Sequence, residues 1–211
     1  ATTGEPLEVG GVEKMSKSKK NVVDPDEIIA RFGADTARWF MLSDTPPERD
    51  IEWTEAGAEG AWRFTQRIWR LVNDAAAHAG GSDAAASLEL RRAAHKALTA
   101  VTEDLGALRF NRAIARIYEL ANALGQAMGK AEAPALREAA EFLVLMSAPM
   151  MPHLAEECWQ ALGHTRAVVD TPWPKADPAL VADDTVTIAV QVNGKRRDEV
   201  TVAKDLDAKA V

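Results

Sequence analysis

The sequence predicts a mainly α chain: an antiparallel helical bundle, preceded by a lysine-rich loop and short helices and followed by a linker and a β-hairpin that opens a small α+β domain. Three observations carry this expectation. From about Trp53, apolar residues recur at helical spacing over more than a hundred residues. The connections between these helical segments are short, which makes neighbours antiparallel. Alternation of large apolar with polar or small residues appears only near the end, from Val186 to Val192. A chain of 211 residues with 47% hydrophobic content has ample material for a packed core.

Taken in order, the chain first presents "VEKMSKSKKN", residues 12 to 21, with Lys14, Lys17, Lys19 and Lys20 close together and only Met15 to anchor them. "DPDEIIARFG" comes next, where Asp24 can cap, Pro25 suits the first helical position, Glu27 completes a capping-box pattern and Gly33 is a stop. This predicts a helix from about Pro25 to Phe32. A second helix starts in "ADTARWFML" with Asp35 as its expected cap, and Pro46 and Pro47 end it.

Phe64, Ile68, Leu71, Val72 and Ala75 then form one apolar helical face closed by Gly80 and Gly81, with Arg63, Arg67 and Arg70 as a stripe beside it. The spacing repeats from Leu90 to Leu108 and from Phe110 to Ala121. Two further helices open at Pro134 and Pro152, the last ending before Gly163. Pro172, Pro174 and Pro178 forbid a continuous helix and predict an extended linker packed down by Trp173. Asn193-Gly194 is a strong hairpin signal, but a plain two-residue loop pairs Ile188 with Glu199 and sends Val200 and Val202 to the wrong face. One extra residue, in the loop or in a bulge near Arg196, restores the pairs Ile188 with Val200 and Val186 with Val202.

Composition removes several classes of function. No apolar run is long enough to span a bilayer, and "ATTGEPLEVGG" lacks the features of a signal peptide. Residue 1 is not Met and is expected to lie inside a longer polypeptide. Cys158 is a single cysteine, which rules out an intramolecular disulfide, and His78, His95, His153 and His164 show no ligand spacing with it. A reducing cytosol and no structural metal are the expectation. The net charge of −7 argues mildly against a nucleic-acid partner, yet residues 88 to 130 carry seven basic against four acidic side chains, which allows a basic face without establishing one.

Lys14-Met15-Ser16-Lys17-Ser18 matches the KMSKS signature of class I aminoacyl-tRNA synthetases in full, and "KNVVDPDEII" and "FGADTARWFML" resemble the segments after this signature in the leucine, valine, isoleucine and methionine branch. The bland alternative for the run is a solvated surface loop. The chemistry implied by the resemblance suits the residue types. Activation of an amino acid attacks the α-phosphate of ATP and expels pyrophosphate, so negative charge grows on the leaving phosphates. A preorganised donor aimed at such charge is typically worth roughly 3 kcal/mol. Lysines are compact charges on flexible stems that can close over phosphates and release them. The resemblance makes Lys17 the principal phosphate contact with Lys14 assisting; Ser16, Ser18 and Met15 complete the ATP-binding loop. Lys20 stands where many members carry a glycine.

"LRFNRAIARIYELAN" and "FLVLMSAPMMPHLAEECW" resemble the helical anticodon-binding domain of the same branch, and "TPWPKADPALVADDTVTIAVQVNGKRR" is similar to the junction and opening strand of the C-terminal domain of bacterial leucyl-tRNA synthetases. The implied division is 1–55 for the end of a catalytic domain, 56–170 for the tRNA-binding bundle, 171–184 for the linker and 185–211 for the start of a C-terminal domain. Arg109, Arg112 and Arg116 are candidates for tRNA phosphates and equally for a solvated helix face. His153 and Trp159 read as structural.

The resemblance further implies a cytoplasmic, monomeric enzyme that joins leucine to tRNA-Leu with ATP and Mg²⁺, without a membrane. The HIGH motif, nucleotide-binding sheet, leucine pocket and editing domain are expected outside these residues, so the chain alone should catalyse no leucine-dependent pyrophosphate exchange. A valyl- or isoleucyl-type enzyme, and a free-standing helical RNA-binding or scaffold module, are the rival readings.

Overall fold

The computed structural model describes residue 11 and residues 13–182, 185–192 and 195–203. Among these, seven helices of eight residues or more run in sequence: α1 (Pro25–Phe32), α2 (Ala34–Ser43), α3 (Glu55–Ala77), α4 (Ala84–Gly106), α5 (Phe110–Ala127), α6 (Ala133–Ser147) and α7 (Pro152–Ala161). A one-turn helix α8 (Pro178–Val181) and the strands β1 (Thr185–Val192) and β2 (Lys195–Ala203) come after them. No described helix is long and apolar enough to cross a membrane.

α1 has the expected bounds, because Asp24 accepts from the Asp26 N–H at 2.9 Å and Gly33 ends it with φ +86°. The predicted apolar face of α3 is buried at Phe64, Ile68, Leu71, Val72 and Ala75. α3 ends at Ala77 with extended His78 as its C-cap, before the expected Gly80 and Gly81, which instead allow the α3–α4 connection to lie directly on the α5–α6 connection. The Gly81 N–H donates to the Ala131 carbonyl at 2.7 Å, and a Cβ on Gly81 would stand 2.1 Å from the Lys130 carbonyl oxygen.

The hydrophobic core is continuous from Trp39 to Val168. Trp39 is fully buried, stacks on Phe64 at 5.1 Å, meets Tyr118 edge-on at 5.8 Å and donates its indole N–H to the Tyr118 hydroxyl at 3.1 Å. α2 therefore shares one core with α3 and α5, and the expected division at residue 55 falls between two helices of a single packed body. α1 buries no residue; Arg31 joins it to Glu55 and Glu59 through exposed ion pairs.

The linker packs down as expected, and by more than Trp173. The Trp173 indole donates to Thr102 Oγ1 at 2.8 Å, the Asp177 N–H donates to His95 Nδ1 at 2.9 Å, and Leu180 is buried on the newly seen helix α8. Since His95 Nδ1 accepts, its proton sits on Nε2, which faces Glu138 Oε1 at 3.3 Å. Arg91 holds the same carboxylate at 2.6 Å. Burial pushes the Glu138 carboxyl up, but the hydrogen bonds from Arg91 and His95 outweigh it and hold the group below its usual range. The hydrogen bond to Glu138 likewise raises Arg91.

The hairpin carries the expected irregularity. Val190 pairs with Asp198 and Gln191 with Arg196, so Arg197 is the extra residue of a bulge, and Ile188 faces Val200 while Val186 faces Val202. The Asn193-Gly194 tip lies outside the described residues.

Gly81→Ala should destabilise the bundle by about 2 kcal/mol or more, because its Cβ meets backbone and not a movable side chain; urea unfolding measures it. Glu138, with its folded value depressed, contributes stability that is present above the ordinary carboxylate value of 4.5 and is lost as pH falls through the folded value. The stability gap between the wild type and Glu138→Gln should therefore be full at neutral pH and close below pH 4.5, as read by denaturant unfolding across the acid range.

Candidate functional site

The lysine-rich loop is built by its own small residues. Ser16 is extended and caps a 3-10 turn over Lys17–Lys19, its Oγ accepting the Lys19 N–H at 3.3 Å. Asn21 closes the loop from the other side, accepting the Ser16 N–H at 2.8 Å and donating to the Lys14 carbonyl at 3.4 Å. Lys19 pairs with Glu13 at 2.8 Å, whereas Lys14, Lys17 and Lys20 are exposed with no carboxylate partner among the described residues. Lys20 holds φ +53°, a left-handed conformation costing an L-residue about 1 kcal/mol, which gives its departure from glycine a physical consequence. Met15 is the apolar anchor: it lines an open groove of about 360 Å³ with Val23, Pro25, Ile28, Met41 and Trp53.

The base of this loop is fastened to the bundle by two charges on α2. Asp35 does not cap its own helix, contrary to the expectation from the sequence. Gly33 occupies that position without a side-chain bond, and the Asp35 carboxylate instead accepts the Leu154 N–H at 2.6 Å and meets His153 Nδ1 at 2.8 Å. It thereby caps the N-terminus of α7, where Met151 supplies no side-chain bond of its own. One turn along α2, Arg38 donates to the Pro149 carbonyl at 2.9 Å and the Met150 carbonyl at 3.0 Å, just past the C-terminus of α6. Each charge meets the helix end whose dipole it complements. Hydrogen bonds to charged groups of this kind contribute about 1.5–3 kcal/mol each. His153 is otherwise exposed and Trp159 is a core aromatic stacked on His164 at 3.7 Å, so both remain structural.

The three candidate arginines do not form one patch of equivalent charges. Arg109 Nε lies 2.7 Å and Arg112 Nε 3.5 Å from one carboxylate oxygen of Asp104, which is buried at 3% exposure. Arg116 pairs along its own helix with Glu119 at 3.0 Å. Arg109 and Arg112 sit at the start of α5, where the helix dipole favours anions, so one buried carboxylate offsets two half-exposed guanidiniums at an electropositive end. Leu108, beside them, is exposed with φ +56°. Asp104 is the partner that sequence reading missed; its apolar neighbours on α4 give no signal of a bond across the α4–α5 turn.

Nothing else among the described residues offers chemistry. No group of three metal-ligating side chains could hold an ion. Cys158 is buried, and burial pushes its thiol up to about 12, far from a nucleophilic thiolate.

Comparison with known proteins places these features in company. The pattern of the anticodon-binding domain of tRNA ligases matches residues 88–211, and that of the class I tRNA synthetases for isoleucine, leucine, methionine and valine matches residues 9–54. The leucine–tRNA ligase of Parvibaculum lavamentivorans is 62% identical over 99% of this chain and 25% of its own length. That of Brucella ovis is 56% identical over 99% of this chain and 26% of its own. Among solved structures, the LeuRS of Agrobacterium radiobacter K84 agnB2, in a ternary complex with tRNA and LeuAMS, superposes with a TM-score of 0.80 at 30% identity, covering 93% of this chain and 27% of that one. The chain thus spans about a quarter of the length of the relatives it matches.

Proposed function

Because the chain belongs to the family of anticodon-binding domains of tRNA ligases, we propose that it is the loop-bearing and tRNA-binding part of a leucine–tRNA ligase. The observation that carries the reading is continuity: 62% identity to a leucine–tRNA ligase runs over 99% of the chain, from the lysine loop through the bundle to the hairpin. A free-standing RNA-binding module would need no loop that keeps both Lys14 and Lys17 of the signature uncompensated. A valyl- or isoleucyl-type parent is the rival reading, and relatives at 56% and 62% identity over 99% of the chain are leucine–tRNA ligases.

In the complete enzyme, the carboxylate of leucine attacks the α-phosphate of ATP, a new P–O bond forms and pyrophosphate leaves with its electron pair. Lys17, assisted by Lys14, neutralises charge that accumulates on the leaving phosphates, while Ser16 and Ser18 supply hydroxyl donors and Met15 holds the loop to its apolar groove. Mg²⁺ accompanies ATP and adds charge neutralisation there; the described residues provide cations and hydroxyls for the phosphates, not ligands for the metal. A hydroxyl of tRNA-Leu held by the bundle then attacks the leucyl carbonyl, an ester bond forms, and the acyl–phosphate bond breaks with AMP as the leaving group. The enzyme works as a cytoplasmic monomer.

In the full-length ligase, Lys17→Ala should cut leucine-dependent pyrophosphate exchange by about 100-fold, the scale of one lost transition-state donor; unchanged exchange would remove Lys17 from the site. Arg112→Ala should weaken tRNA binding and lower the salt slope of log Kd by about one unit, as for one lost phosphate contact. An unaltered slope would leave Arg112 as a partner of Asp104 alone.

A further inference from the structure

We propose that Asp35 and Arg38 are positioning residues that set the orientation of the signature loop relative to the tRNA-binding bundle, with Gly33 as the joint beyond which the loop and α1 are free to swing. The inference rests on the reading of the chain as part of a leucine–tRNA ligase.

Two kinds of contact fix α2. Trp39 holds one side of it through aromatic packing on Phe64 and Tyr118 and a single hydrogen bond to the Tyr118 hydroxyl. Such packing sets distance but tolerates sliding, whereas hydrogen bonds have direction. Asp35 and Arg38 supply four directed contacts, between 2.6 and 3.0 Å, to residues 149–154 at the α6–α7 corner. These contacts define the rotation and the axial position of α2 against the last two helices of the bundle. Opposite charges at opposite helix ends also make the arrangement single-valued: a slip of one turn would bring Asp35 towards the carbonyl end of α6.

The contrast with α1 locates the joint. α1 has no fully buried residue, only Ile28 and Phe32 half-buried, and its described ion pairs to α3 are exposed. Gly33 separates α1 from α2 with φ +86°, and no atom lies within 4 Å of where its Cβ would be. Rotation at Gly33 therefore has to move no fully buried side chain of α1, while α2 is held. A loop that must close on phosphates and reopen can do so about this point without disturbing the bundle. The clamp gives that motion a fixed reference, so that the transfer of leucine to tRNA occurs between correctly oriented parts.

The test uses the full-length ligase and separates activation from transfer. Asp35→Ala should leave leucine-dependent pyrophosphate exchange and the KM for tRNA within about twofold of wild type, yet lower kcat for tRNA charging roughly tenfold or more, as expected of misplacement far from the chemistry. Asp35→Asn, which keeps an acceptor for the Leu154 N–H, should recover most of that loss. Arg38→Ala should reproduce the same split and decides the matter if Asp35→Ala does not fold. A parallel fall of exchange and charging, matching the folded fraction, would overturn the proposal in favour of a purely structural clamp; so would normal charging. Absence of leucine-dependent exchange in the wild type would overturn the underlying functional reading, and this inference with it.

Discussion

A carboxylate and a guanidinium one turn apart on α2 grip the corner at which two bundle helices meet. Asp35 satisfies the open N-terminus of α7 and Arg38 the carbonyls beyond α6, at separations of 111 to 119 residues along the chain. Most of the architecture relevant to function depends on this grip. With α2 anchored there and through Trp39 on Phe64 and Tyr118, the second helix after the signature loop shares the bundle's core. The loop and α1 precede this anchored helix across Gly33, and the lysines of the loop are exposed.

The distribution of charge obeys the same economy. The chain has a net charge of −7, which argues mildly against a general attraction to polyanions and makes any cationic site a local one. Two places meet that requirement. In the loop, Lys19 is neutralised by Glu13 while Lys14 and Lys17 are not, and Ser16 and Asn21 hold the backbone that presents them. At the start of α5, Asp104 orients two guanidiniums and neutralises only one charge's worth. The remaining ionic contacts, such as Arg91 and His95 on Glu138, join helices and pin the linker.

Local patterns were legible in the sequence because local physics determines them. The cap, proline and terminal glycine of α1 fix its bounds within eight residues. The parity of valines around Asn193-Gly194 demanded an extra residue, and Arg197 is that residue. Lys14 and Lys17 were singled out by motif, and both are exposed. What failed to show was non-local. An aspartate in the first turn of a helix serves its own N-terminus or another's, and nothing within ten residues of Asp35 distinguishes the two. Arg38 had no distinguishing pattern at all. The short helix α8 was hidden by the proline-rich linker, although Asp177 and Pro178 form a cap and first position for it. The candidate arginines could be named, but their tie to buried Asp104 depends on the geometry of the α4–α5 turn.

The Leu154 amide reports on the central claim directly. It lies within the first turn of α7, where an N–H has no partner inside its own helix and ordinarily exchanges quickly with solvent. If the α2 clamp is a fixed part of the bundle, native-state hydrogen exchange should show this amide protected to nearly the same opening free energy as core amides such as that of Ile117, with Asp35→Ala abolishing the protection. Rapid exchange at Leu154 in the wild type, while Ile117 remains protected, would mean that α2 detaches freely and that the loop has no fixed base on the bundle.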